Sequence, residues 1–309
     1  MSDLKLFRIQ NNQAGEITGH AVDLERPLQN LIESNLETLF GVRFLATEYS
    51  TGKTHGGRID TLGLDENACP VILEYKRALN ENVINQGLYY LDWLMDHKAE
   101  FKLLALDRFG KEAADAIDWT SPRLICIAGD FTKYDEHAVQ QINRNIELIR
   151  YRKFGDELLL FELVNAVSSS MSSTVVPTVK RTAQSVSSSS LTDKTYGDLL
   201  ADAQPILTEL DAAIRQFMMT LGDDVQEKVT KKYVAYKRIK NFATVVVGNQ
   251  RRLLLQLHLD PDKYPLVTKV GRDMRGIGQW GTGLVQLYIE SWDDFEQAKS
   301  LVRRAYDGG

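Results

Sequence analysis

The chain has 309 residues, enough for more than one hydrophobic core, and its 43% apolar and 26% charged content is that of a globular protein. A net charge of −5 excludes simple charge-driven binding of polyanions, and no run of about 18 apolar residues is present to span a bilayer. The start Met-Ser-Asp-Leu-Lys-Leu-Phe-Arg lacks a basic head followed by an apolar run, and Cys69 and Cys126 are the only cysteines; a cytoplasmic chain with no membrane partner, disulfide framework or cysteine zinc site is expected.

From the N-terminus, Leu28, Leu31, Ile32, Leu36, Leu39 and Phe40 recur at helical spacing, which predicts one helix from Asp23, its N-cap, to Gly41, its stop. Strands are expected near 43–49, 58–64 and 71–76, a helix over 82–97, a strand over 123–128, a helix over 133–143, and a closing hairpin from 146–151 and 157–164. This order predicts a mixed β-sheet flanked by helices, an α/β fold. Ten serines crowd residues 167–190, where no period survives, and mark a linker. The expected domains are therefore 1–166 and 191–309. The first carries net −8 and the segment after residue 166 net +3, so the second half is the one able to hold an anionic partner. That half predicts a long helix over 196–221, a hairpin from 242–247 and 252–259 around Gly248-Asn249, a strand over 284–289 and a last helix over 292–305, a smaller α+β domain.

Chemistry concentrates in the hairpin of residues 58–76. A turn centred near Asn67 sets Asp60 across from Glu74, and alternation puts Ile72, Glu74 and Lys76 on one face. Two carboxylates about 5 Å apart repel unless a cation lies between them, and Mg²⁺ or Mn²⁺ suits oxygen ligands that leave room for water and phosphate. Lys76 is placed to orient water or offset charge developing on a phosphate. Taken alone, the Glu-x-Lys end of a strand is most often a solvated ion pair. Glu33 and Glu37, four apart on the first helix, each stand as candidates to complete the site, or as solvated acids at a helix edge. Gln86 and Tyr90, four apart on the next helix, point one way. Gly56-Gly57-Arg58 permits a close approach of backbone or ligand.

Two letter patterns are set aside. Ser50-Thr-Gly-Lys-Thr54 lacks the first glycine and the following helix of a phosphate-binding loop, and Gly276-Ile-Gly-Gln-Trp-Gly281 lacks a strand-turn-helix context. The five histidines show no metal-ligand spacing.

In order, Glu37, Gly57-Arg58-Ile59-Asp60, Val71-Ile-Leu-Glu74-Tyr-Lys76 and Gln86-Gly-Leu-Tyr-Tyr90 resemble the PD-(D/E)XK nuclease superfamily, especially its RecB-like and archaeal single-strand or mismatch endonuclease branch. Ile59 stands where the motif has proline, a departure common in these divergent families. The resemblance covers about residues 23–95. It implies a restriction-endonuclease-like core, Asp60 and Glu74 as ligands of Mg²⁺ or Mn²⁺, Lys76 as the catalytic lysine, Glu37 or Glu33 as an auxiliary acid, and Gln86 with Tyr90 as supporting contacts. The implied activity is metal-dependent hydrolysis of phosphodiesters, of DNA rather than RNA, in repair or in defence against foreign DNA. The alternative is a nuclease-like module that holds nucleic acid or a protein without turnover.

In the second half, Lys231, Lys232, Lys237, Arg238, Arg251 and Arg252 lie among Tyr233, Tyr236 and Phe242. Together with Arg58 they are candidates for nucleic-acid contact, by phosphate neutralisation and base stacking. The competing reading is a solvated basic face with its aromatics turned to the core. This half resembles a small domain of unknown function found beside nuclease-like domains, and is expected to recognise substrate or a protein partner.

Overall fold

The computed structural model describes residues 4–20, 25–76, 83–167, 194–264, 271–277 and 282–308. It divides into two compact units, Met1–Ser169 and Ser170–Gly309, each with its own buried core. Of the expected linker only Val167 is among the described residues.

The first unit opens with a hairpin that the sequence reading missed, β1 (Leu6–Gln10) and β2 (Gln13–Ile17). Asn11 and Asn12 turn it with φ of 49° and 62°, a left-handed pair that asparagine tolerates. A short β3 (Gly19–His20) follows. The expected N-cap Asp23 lies outside the described residues. The single helix expected up to Gly41 is two, α1 (Glu25–Ser34) and α2 (Leu36–Phe40). Asn35 interrupts it: its side-chain amide donates to the Leu31 carbonyl while its own N–H bonds back only three residues, to Ile32. Gly41 ends α2 at φ 63°, as a stop residue should. Leu28, Ile32, Leu36 and Phe40 are buried, but Leu31 of the expected stripe is exposed.

Then come β4 (Val42–Ser50), α3 (Gly52–His55), β5 (Arg58–Asp65), β6 (Pro70–Lys76) and α4 (Val83–Asp96). Two helices that the sequence reading passed over, α5 (Lys98–Phe109) and α6 (Lys111–Asp115), lead to β7 (Arg123–Ala128). α7 (Lys133–Gln140), β8 (Asn145–Phe154) and β9 (Leu158–Val167) complete the unit. The sheet order is β3-β8-β7-β6-β5-β4, with β9 also on β8. β6, β7 and β8 run parallel, and the remaining pairs are antiparallel. The crossover from β6 to β7 through α4 allows the parallel pairing. β6 and β7 are buried on both faces, which accounts for their apolar runs Val71-Ile-Leu73 and Leu124-Ile-Cys-Ile-Ala128. This is the expected mixed α/β sheet flanked by helices.

The second unit is smaller: α8 (Tyr196–Ala201), α9 (Pro205–Met219), β10 (Gln226–Val229), β11 (Tyr233–Lys237), β12 (Asn241–Asn249), β13 (Arg252–Leu257), β14 (Gly271–Asp273), β15 (Val285–Ile289) and α10 (Trp292–Tyr306). Its antiparallel sheet runs β10-β11-β12-β13-β15-β14. The long helix expected over 196–221 is split because Pro205 has no N–H to continue α8 and starts α9 instead. Among the described residues no helix is long and apolar enough to cross a membrane.

Candidate active site

The β5–β6 ladder pairs Thr61 with Leu73, Leu62 with Ile72, Gly63 with Val71 and Leu64 with Pro70, the register that a turn centred near Asn67 demands. Asp65 builds that turn: its Oδ1 accepts from the main-chain N–H groups of Asn67 at 2.9 Å and Cys69 at 2.8 Å. At the far end the ladder stops after Thr61–Leu73, and side chains take over. The Asp60 N–H donates to Glu74 Oε1 at 3.2 Å, and the Tyr75 N–H donates to Asp60 Oδ2 at 3.0 Å. The two acids thus occupy the opening between the strands and satisfy main-chain donors there.

Glu74 is fully buried, and its Oε2 has no hydrogen-bond partner. Burial pushes its pKa up to about 9, helped by the Asp60 charge and opposed by the Asp60 N–H and the Lys76 ammonium. An apolar side chain or a satisfied acid would leave no such orphan. Lys76, half-buried at the end of β6, is close enough to act on Glu74 electrostatically. Beside Glu74 on β7 lies Cys126, whose thiol burial pushes far up. Among the described residues no three His, Cys, Asp or Glu side chains gather to enclose a cation by themselves. The Asp60–Glu74 pair fits a hard ion that keeps positions for other oxygens.

Glu33 and Glu37 do not share one helix. Glu37 is exposed on α2. Glu33 Oε1 accepts from Thr61 Oγ1 at 2.6 Å and from Gln29 Nε2 at 3.1 Å, and Thr61 Oγ1 also contacts Tyr75 Oη at 3.1 Å. Thr61 follows Asp60 on the strand and therefore faces the other side of the sheet. Gln29, buried on α1, was not singled out in the sequence, where its burial leaves no local mark.

The wall opposite β5 comes from α4. Gln86 Nε2 donates to Tyr90 Oη at 3.3 Å, and that hydroxyl accepts from the Arg58 N–H at 3.1 Å. Gly57 is needed here, since a Cβ would lie 2.5 Å from the Tyr90 ring. An open cleft of about 710 Å³ results, lined by Glu48, Lys53, Arg58, Asp60, Gln86 and Tyr90 among others. Glu48 and Lys53 were not anticipated. Glu48 holds the Arg58 guanidinium at 3.0 Å and has φ of 50°, a conformation rare outside glycine and asparagine. The segment 50–57, set aside as a phosphate loop, makes only the one-turn α3 before returning to β5.

In the second unit the basic run is dispersed. Lys237, the last residue of β11, is buried, a correction to its reading as a nucleic-acid contact. Arg238 pairs with Asp224 at 2.5 Å and lies over the Tyr306 ring, while Arg252 pairs with Glu290 at 2.5 Å and lies over Tyr288. Lys232 Nζ donates to the Lys194 carbonyl at 2.9 Å, and Lys231 and Arg251 are exposed. Tyr236 and Phe242 belong to the core and offer no face for stacking.

Residues 192–308 match the family model described as a domain of unknown function, DUF5655. Over 307 residues the chain is 27% identical to an uncharacterised protein of Haemophilus influenzae, covering 98% of this chain and 99% of that one. Among solved structures it is similar to a repair endonuclease from Pyrococcus abyssi, 18% identical with a TM-score of 0.28, over 42% of this chain and 49% of that chain. It is also similar to an EndoMS–dsDNA complex, 19% identical with a TM-score of 0.24, over 42% and 47%. The match thus spans about half the length of each solved structure.

Proposed function

We propose that the first unit is a nuclease that hydrolyses phosphodiesters of DNA with Mg²⁺ or Mn²⁺, using Asp60, Glu74 and Lys76. The observation that carries this reading is the opened end of the hairpin, where two acids meet and Glu74 keeps a fully buried, unpartnered oxygen. A folded protein has little reason to retain that arrangement for stability, since an uncompensated buried acid is costly.

Asp60 and Glu74 are the residues that would hold the cation. When bound, such an ion polarises a phosphoryl oxygen and lowers the pKa of water. The chain's own residues supply the rest. Lys76 offsets negative charge at the reacting phosphate and orients the attacking water. Arg58 and Lys53, on the lip of the cleft, hold phosphates on either side. Gln86 and Tyr90 keep the Arg58 main chain, and so the start of β5, at a fixed distance from α4.

The test is cleavage of single-stranded, duplex and branched DNA in Mg²⁺ or Mn²⁺. Wild type is expected to cut at least one substrate, Glu74→Ala to lose activity by about 10³-fold or more, and Lys76→Ala by roughly 10²–10³-fold. A wild-type protein that neither binds a divalent cation nor cuts any of these substrates sinks the proposal.

A further inference from the structure

Behind the site stands a side chain that no motif marks. Gln29 on α1 is 6% exposed, and its amide nitrogen reaches acceptors on three elements. These are the Glu33 carboxylate on its own helix at 3.1 Å, the Thr47 hydroxyl on β4 at 3.2 Å and the main-chain carbonyl of Asp60 on β5 at 3.0 Å. An amide has two hydrogens, so the three acceptors compete for them and the nitrogen is confined to their meeting point. Glu33 is itself held by Thr61, and Thr61 by the Tyr75 hydroxyl of β6. The network therefore ties α1, β4, β5 and β6 together around the peptide of Asp60, at the position where the β5–β6 ladder has ended.

We infer that Gln29 is a positioning residue, which fixes the Asp60 carbonyl and thereby aims the Asp60 carboxylate at Glu74, setting how tightly the pair holds a divalent cation. This rests on the cation-dependent reading of the site. The physical reason is that Asp60 lies just beyond the last β5–β6 pair, so on that edge side chains take over from the ladder, while β4 still pairs with its neighbours Ile59 and Thr61. Gln29 adds to this a direct hold from α1 on the Asp60 carbonyl itself. It acts through main chain, so its side chain need not touch cation or substrate. Glu33 becomes the acceptor that anchors the amide.

The experiment is Mn²⁺ binding to the full chain without DNA, followed by the electron paramagnetic resonance of free Mn²⁺, for wild type, Gln29→Met and Gln29→Asn. The methionine keeps the volume and removes both donors. The asparagine keeps a polar amide, and hence a folded protein if the methionine variant fails to fold, but withdraws the nitrogen by one methylene. Variants with wild-type circular dichroism are expected to bind Mn²⁺ about 10- to 100-fold more weakly, the range found for groups that orient metal ligands. On cleaved DNA, kcat is expected to fall by a similar factor while KM stays within about twofold, because the phosphate-holding residues are untouched. Folded Gln29 variants with wild-type Mn²⁺ affinity overturn the assignment while leaving the nuclease reading intact. A wild type that binds no Mn²⁺ overturns both.

Discussion

Glu74 makes the stability of the first unit depend on pH in a direction opposite to that of most acids. Its pKa is raised from 4.5 to about 9 by burial and by Asp60, so the folded state holds its proton over a range in which the unfolded chain releases it. The stability this proton contributes is complete below about pH 4.5 and is lost as pH rises towards 9. In EDTA, the melting temperature is therefore expected to carry a component that falls across that window, and Glu74→Gln to remove it. A divalent cation bound by Glu74 would displace the proton, so on the proposed reading its stabilising effect on wild type is expected to be greater at about pH 8.5 than at pH 6. Thermal scans at a series of pH values check both; a cation effect equal at the two ends contradicts a shared site for proton and metal. The identity of this residue was legible in the sequence because strand alternation and turn position alone place Glu74 beside Asp60. Gln29 and Glu48 were not legible. Nothing local distinguishes a buried glutamine from a solvated one, and Glu48 owes its place in the cleft to a left-handed backbone conformation that its residue type does not announce.

At the scale of elements, the sheet is pinned from below by charges and opened above by them. Arg123 at the start of β7 is bidentate to Glu147 of β8, at 2.9 Å for each bond, and reaches Asp65 at the end of β5 at 2.9 Å, all three buried. Asp65 is also the acid that builds the β5–β6 turn. Removing the guanidinium leaves two buried carboxylates without their partner, so Arg123→Ala is expected to destabilise the first unit by about 3–5 kcal/mol. Urea unfolding measures it, and a loss below about 1 kcal/mol would assign the pairing little structural weight. Strong periodicity made β5, β6, β7 and α4 readable. Breaks were harder: Asn35 divides a helix whose apolar spacing continues through it, and only the competition of its side chain for a helical carbonyl reveals the division. Pro205 carried a plain signal that the apolar spacing of 196–221 outweighed in the reading. β10 and β11 were hidden because their lysines drew attention to charge, although Val234, Ala235 and Tyr236 between them are buried.

On the scale of the whole molecule, the chain has two cores, and cooperative unfolding is expected within each. The acidic first unit holds the Asp60–Glu74 pair, and in the second Lys237 is buried while Arg238 and Arg252 are ion-paired. Cys69 and Cys126 are both buried in the first unit, and the second has no cysteine. Their thiols therefore act as a native clock for one half of the molecule. Modification by a thiol reagent is expected to follow the opening of the first unit alone, in parallel with loss of its fluorescence or dichroism signal, and to be slowed by Mg²⁺ if the cation binds only the closed form. Because Cys126 lies next to Glu74 on the adjoining strand, its labelling rate reads the moment at which the floor of the site is first reached by solvent, without any probe being introduced.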